Sequence, residues 1–540
     1  MKKSSPRPAQ AGRKGYLSIV LHAHLPYVRH PEHEHFFEET WLFEAITECY
    51  VPLIDMLDRL LGDNVTFRLT LSISPTLLAM LSDELLRDRY LKHLDRLVKL
   101  SEREITRTRK QPEYQQLARL YRRFFLKTLH TYRARYQCDL LAAFKKHQAA
   151  GNLELITTAA THGFLPLLNI SETAVRNQIN VGVAAFKKTF GFAPSGFWLP
   201  ECGYYPGLET VLKEAELNYF FVDSHGIMDA SHAPKQGVYA PIDCGNKVAA
   251  FGRDPASSNQ VWSAREGYPG DADYREFYSD IGYELDLDYI APYMLNDDTR
   301  INTGIKYHRV TGGDGPKAVY DPKSALAKAR LHACDFISQR RQQIGALSSE
   351  MDTPPIVVAP YDAELFGHWW FEGPHWLEAV IRLANDPANG VGLVGCNDYL
   401  AEHPSLQIAV PSASSWGAEG YSSYWINESN DWIYPLIHQA GADMEKLVSD
   451  LQGLKVDSLQ ERALNQAVRS VLLAQASDWP FIMKSGTAAE YAKRRVTDHL
   501  ARFNYLHECI RKNRVNERYL TALEIMDAIF PEIDFRDYCS

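Results

Sequence analysis

What this chain lacks narrows it first. No stretch reaches the ~18 uninterrupted apolar residues that a membrane span needs, so none is expected. Eight cysteines, at 49, 138, 202, 244, 334, 396, 509 and 539, include no CxxC pair. That spacing excludes a zinc ribbon and speaks against a disulfide framework. Basic charge is not in excess: 58 Lys and Arg face 67 Asp and Glu, a net −9, so no nucleic-acid partner is expected. No internal repeat is evident. The opening stretch, 1–15, is basic and rich in breakers, but no apolar core follows it before the first strand. It reads as a disordered tail rather than a secretory signal, and a cytoplasmic protein is expected.

What is present is ordinary in bulk and unusual in detail. A chain of 540 residues, 45% hydrophobic and 23% charged, suits a globular protein of more than one domain. The 29 Tyr and 10 Trp offer stacking surface for carbohydrate, although most such rings belong in a core. Apolar runs at 16–21, 66–73, 153–158, 197–199, 219–222, 356–359 and 392–394 alternate with helical periodicity, which predicts a parallel α/β fold. Candidate site residues follow many different strands, and a barrel gathers such residues at one mouth. The expected barrel spans 16–400. Leu91, Leu94, Leu97, Val98 and Leu100 recur at helical spacing, so 82–151 reads as an inserted helical subdomain. Its mixed charges read as solvated faces. A Gly-, Pro-, Asp- and Tyr-rich stretch at 223–315 reads as an irregular active-site insertion. From 401 to 540 the β signal fades and a C-terminal helical domain is expected.

Two apolar runs end in carboxylates. WLPECGY at 198–204 places Glu201 just past a strand, and IVVAPYDAELFGHWW at 356–370 does the same for Asp362 before a dense aromatic cluster. Two strand-end carboxylates among Trp, Tyr and His suggest glycosidic chemistry, one as nucleophile and one as acid/base. An aromatic pocket raises a carboxyl's pKa, as a general acid requires. Glu364 and Glu372 compete with Asp362, and spacing does not choose among them. In HAHLPY at 22–27, His22 and His24 lie two apart on an extended chain and face one site. They suit sugar hydroxyls or, with His162 of THGFLP at 161–166, a metal as in a metal-dependent polysaccharide deacetylase. The HPEHEH run at 30–35 reads as a solvated loop, since nothing rigid orients it. Trp416, Trp425 and Trp432 beside Gly and Ser read as more exposed than core Trp, for glycan stacking or interdomain packing. Asp478, in an aromatic turn, is a weak signal alone.

These motifs, spread from residue 22 to 486, resemble glycoside hydrolase family 57, and within it the 1,4-α-glucan branching enzymes. VWSAREGYPGD at 261–271, YREFY at 274–278 and SDWPFIMKSG at 477–486 carry the likeness to that subgroup. The resemblance implies a distorted TIM-like (β/α)7 barrel with inserted and C-terminal helical domains. It implies Glu201 as nucleophile, Asp362 as acid/base, and no metal or other cofactor. His22, His24 and His162 become sugar-binding and charge-organising residues, and Arg265, Gly282, Trp416 and Asp478 match substrate-contact positions, with Trp425 beside them. The implied substrate is α-1,4-glucan, handled by a monomer. The neighbouring activities are α-glucan hydrolysis and 4-α-glucan transfer. The segment between Glu201 and Arg265 looks short against branching members, and Tyr239 is the nearest match to their lid tyrosine. A more open site and a high hydrolytic share are therefore expected.

Overall fold

The computed structural model describes residues 13–263, 266–295, 299–311 and 316–539. Each of the seven apolar runs supplies a strand and three more join them among the described residues: β1 (Gly15–Ala23), β2 (Leu69–Ile73), β3 (Leu153–Thr158), β4 (Gly196–Trp198), β5 (Tyr219–Val222), β6 (Ile242–Asp243), β7 (Ala249–Gly252), β8 (Ile356–Asp362), β9 (Val391–Leu393) and β10 (Gln407–Ile408). They form one curled sheet in the order β10-β6-β7-β5-β4-β3-β2-β1-β8, with β9 also paired to β1. Among these ten strands only β6 and β7 pair antiparallel. Past β7, Asp254 N donates to Val358 O of β8 at 2.9 Å. β1 and β8 are buried along nearly their whole length, as strands covered on both faces must be. Register sets His22 beside Asp362 and Ser72.

Helices cover the outer face. Helix Glu172–Phe190 approaches β3 so closely that a Cβ on Gly182 would fall 2.4 Å from Thr158 O, so only glycine fits there. The stretch expected to be helical at 82–151 holds Glu84–Arg107, capped by Asp83, and Pro112–Leu129, then Leu140–Ala149, which packs on β3. Leu86, Tyr90, Leu94, Leu97 and Leu100 form the buried stripe of the first. Near the C-terminus, helices Ile433–Asp450, Ser458–Ala474, Asp478–Ser485, Ala489–Arg511 and Glu517–Met526 pack together. They dock on the loop after β3. Thr161 Oγ1 donates to Leu472 O, and Gln178 Nε2 donates to Gln475 Oε1 at 2.9 Å. No helix of the described residues is long and apolar enough to cross a membrane.

Three sequence expectations change. The stretch 223–315 is not irregular throughout: it contributes β6 and β7, and β7 is buried inside the sheet. Two of the four residues of β7 are Ala and one is Gly, types depleted in strands, and it sits in a stretch rich in turn formers. The tail expected at 1–15 gives way to ordered chain at its end, where Gly15 begins β1 and Lys14 N donates to Gly390 O; residues 1–12 lie outside the described residues. The 30–35 loop is only partly solvated. His30 is 4% exposed, stacks on Phe36 at 3.7 Å and pairs with Tyr491 Oη at 2.9 Å.

Candidate active site

Glu201 leaves β4 through a backbone that few residues adopt. Past the end of β4 at Trp198, Pro200 opens a short turn in which Glu201 (φ 62°, ψ 23°) and Cys202 (φ 49°) both sit in the left-handed region. Each such residue costs on the order of 1–3 kcal/mol and persists only where its surroundings hold it. Here Cys202 N donates to Leu199 O, Trp416 N donates to Glu201 O, and Tyr204 and Ser414 exchange backbone bonds. The strained turn lifts the carboxylate off the strand end. Both its oxygens meet donors: Ser477 Oγ–H reaches Oε1 and Trp416 Nε1–H reaches Oε2, each at 2.8 Å. Burial raises the Glu201 pKa, and these two bonds pull against it.

Behind Glu201 runs a chain of hydrogen bonds with one self-consistent direction. An ionised Glu201 only accepts, so Ser477 spends its single hydrogen there. Ser477 Oγ therefore accepts from His162 Nδ1–H at 2.8 Å. A neutral His162 then accepts at Nε2 from His22 Nε2–H at 3.0 Å, and His22 Nδ1 accepts from Ser72 Oγ–H at 3.1 Å. Burial holds both imidazoles well below their usual pKa, and the neighbouring His24 lowers them further. His22 is also fixed against Trp198, with ring centroids 4.7 Å apart. His162 takes a left-handed backbone (φ 58°) and its carbonyl accepts from Ser477 N.

His24 stands apart in charge. Its Nε2 faces both oxygens of Asp478, at 3.0 and 3.1 Å. Burial lowers its pKa, but Asp478, Glu201 and Glu364 outweigh burial and leave it raised. Ligand atoms of His24, His162 and Asp478 lie within 4.8 Å of one another, close enough for a metal. Both nitrogens of His162 and both of His22 are already engaged in the chain above, so neither has a lone pair free for an ion without breaking it.

Asp362 ends β8 in a different setting. Among the described residues its carboxyl receives no hydrogen bond. Its pKa is pushed well above the usual carboxylate range by burial, then by Glu364 and Glu201, with His24 and Arg253 opposing. Its two sequence competitors separate here. Glu364 adjoins it but is held, accepting from Tyr50 Oη at 2.5 Å and His24 N at 3.1 Å. Glu372 belongs elsewhere, accepting from Tyr320 Oη and Arg275 N.

The remaining expected residues divide. Trp416 and Asp478 stand in the site. Trp425 does not lie open as expected: it is 2% exposed, stacked on Phe164 at 4.9 Å, and packs the core. Trp432 is 38% exposed. Gly282 is buried, and a Cβ there would fall 2.0 Å from Ile301 O, so packing alone demands glycine. Arg265 lies outside the described residues. Tyr239 is joined to Gln343, which binds Asp254, rather than to the two carboxylates. Sequence reasoning missed Ser477, Ser72, Tyr50 and Arg253. Arg253 follows the missed strand β7, donates to Asp223 at 3.1 Å and lies over Trp416 at 5.9 Å.

Comparison with known proteins sets this geometry in context. The family model described as glycosyl hydrolase family 57 matches residues 18–318, and the one described as 1,4-alpha-glucan branching enzyme, C-terminal, matches 436–538. The 1,4-alpha-glucan branching enzyme TK1436 of Thermococcus kodakarensis is 36% identical, over 98% of this chain and 79% of its own. The crystal structure of the α-amylase AmyC from Thermotoga maritima superposes with a TM-score of 0.91 at 44% identity, covering 98% of this chain and 99% of that one. The branching enzyme of this family from Pyrococcus horikoshii superposes at 0.87 with 35% identity, over 98% and 97% of the two chains.

Proposed function

The chain belongs to glycosyl hydrolase family 57, and from that premise we propose that it is a 1,4-α-glucan branching enzyme working by retaining double displacement. The observation that carries the mechanism is the contrast between Glu201, bonded at both oxygens, and Asp362, crowded by carboxylates and given no donor among the described residues. Glu201 attacks the anomeric carbon of an α-1,4 bond while Asp362 gives its proton to the departing O4. A glycosyl ester forms on Glu201 and the C1–O4 bond breaks. Esterification removes the Glu201 charge, one of the two carboxylates that hold the proton on Asp362. Asp362 thus becomes more acidic as it turns from acid to base. As carboxylate it takes the proton of an acceptor C6 hydroxyl, whose oxygen attacks C1 and releases Glu201. Two inversions keep the α configuration.

Several finer features belong to the same reading. β1, β2, β3, β4, β5, β7 and β8 are the staves of a (β/α)7 barrel, and the Asp254–Val358 bond at its seam supports closure. The helices at 82–151 and those from Ile433 onward are separate additions to it. Ser477 and Asp478 come from the same chain as Glu201, which supports action as a monomer. His24, Trp416 and Asp478 surround the substrate, with His162 behind Glu201.

A hydrolytic share is part of the proposal. AmyC, at 44% identity, is named an α-amylase. In this chain the segment after Asp223 is pinned rather than free: Ser231 N donates to Val410 O and Ser412 N to Gly226 O. Water then competes with the acceptor for the glycosyl ester. Incubation with amylose, then debranching and a reducing-end count, measures both outcomes. Accumulating α-1,6 bonds with rising reducing ends is expected, and reducing ends without any α-1,6 bonds would make the chain a hydrolase.

A further inference from the structure

Aromatic side chains gather on a face that the reaction steps do not use. After Asp362 the chain doubles back: Trp369 N donates to Glu364 O at 3.3 Å and Trp370 N to Leu365 O at 2.9 Å. Gly367 makes the reversal at φ 116°, where a Cβ would fall 1.8 Å from Glu48 O. The turn buries Trp370 and projects Trp369, which is 52% exposed. One face of Trp369 lies on Phe277, centroids 4.3 Å apart and planes 24° from parallel. Phe277 is itself clamped, with Lys306 Nζ 4.3 Å over its ring and His368 edge-on at 5.2 Å. Tyr278 follows, 80% exposed and perpendicular to Phe277. Single exposed rings need no explanation, but a clamped stack with rings open to solvent is a prepared surface.

Polar capacity lies at its edge. His368 Nδ1 pairs with Glu48 Oε2 at 2.8 Å, which leaves Nε2 3.9 Å from Glu44. That gap is too long for a hydrogen bond, so both groups keep unspent capacity. Burial pushes the Glu44 carboxyl up to about 7, with Glu48 adding to the rise and His368 opposing it. A sugar ring offers what this surface lacks: a flat C–H face for the indole and hydroxyls for the rim. A transfer between two glucan chains needs a place for the second chain, and this face adjoins the acid/base residue through the Glu364–Trp369 bond.

We infer that Trp369, Phe277 and Tyr278, edged by Glu44 and His368, form a subsite that holds an α-1,4-linked glucan chain on the turn that follows Asp362. The inference rests on the branching reading and adds where a long chain is held. It is tested by electrophoresis through gels containing graded glycogen, in a Glu201→Gln background so that the glucan is not consumed. Trp369→Ala weakens the apparent glycogen affinity about three- to tenfold, Tyr278→Ala weakens it less, and Trp369→Phe recovers most of the loss. Retardation of Trp369→Ala equal to that of the background protein overturns the subsite, as does a background protein that glycogen does not retard. The branching reading is scored separately, by the α-1,6 count of the chain with Glu201 intact. If that count is nil while the retardation series holds, the surface stands as a glucan platform and the branching assignment fails.

Discussion

β4 and β8 each deliver one carboxylate to the same buried space, yet they build opposite surroundings for it. The end of β4 is strained, and the far end of the chain is brought back to donate to both oxygens of Glu201. The end of β8 is relaxed, with Asp362 at φ −65° and ψ 134°, and leaves its carboxyl facing other carboxylates. The difference teaches that position at a strand end supplies a reactive group, while the donors around it decide whether it works as an anion or as an acid.

The largest effect is expected from breaking each carboxylate in turn. Glu201→Gln removes the atom that bonds to the sugar, and turnover of amylose falls on the order of 10⁴–10⁶. Asp362→Asn loses about 10²–10⁴ on the same substrate. The two part on α-glucosyl fluoride, whose leaving group needs no proton. Fluoride release in a single turnover should survive in Asp362→Asn and vanish in Glu201→Gln. Equal release from both variants would erase the contrast.

A second expectation comes from two tryptophans of one loop, of which only Trp416 touches Glu201. Trp425→Ala empties a packed site and costs about 3–5 kcal/mol in denaturant unfolding. Trp416→Phe keeps most of the ring but removes the donor to Oε2, so activity drops with little change in the unfolding midpoint. A Trp416→Phe protein as destabilised as Trp425→Ala would move Trp416 from the site to the core.

A third concerns the chain of donors. Ser477→Ala deletes a hydrogen bond to the ionised form of Glu201, which raises its pKa. The acid limb of the kcat/KM profile should then move about one to two units toward higher pH. Ser477→Thr keeps the hydroxyl and the limb. A limb that stays in place in Ser477→Ala shows that the bond does not support the anion.

The smallest effect is on stability. Burial and like charge raise Asp362 in the folded state, whereas the unfolded chain ionises near ~3.9. Between those values the folded state holds a proton that the unfolded state has lost, so stability falls as pH rises through that window. Asn cannot ionise, so Asp362→Asn should raise the unfolding free energy at pH 7 by about 1 kcal/mol, a gain that disappears below pH ~4. A stability difference independent of pH would mean that carboxylate crowding does not raise Asp362.

The strand ends were legible because apolar runs stop abruptly at Glu201 and Asp362, and His22 and His24 follow the same rule. β7 escaped because its Ala-Ala-Phe-Gly carries little strand propensity, unlike the equally short Tyr-Phe-Phe-Val of β5, and Arg253 escaped with it. Ser477 lies 276 residues from Glu201, and no local pattern announces a bond made by docking one set of helices on the loop after β3. Trp425 misled for the opposite reason: its Gly and Ser neighbours describe its own loop, while the Phe164 ring that buries it comes from another strand's end. The choice among Asp362, Glu364 and Glu372 needed the partners of each, which only tertiary structure supplies.

The central claim is that Glu201, not a carboxylate at the β8 end, bonds to the sugar. A 5-fluoro-α-glucosyl fluoride slows release of the intermediate and lets it be trapped. Digestion and mass spectrometry of the trapped protein should place the added fluoroglucosyl mass on the peptide that carries Glu201, with none on the peptide that carries Asp362 and Glu364. The mass on the Asp362 peptide, or its absence from a protein that still turns over amylose, would contradict the account.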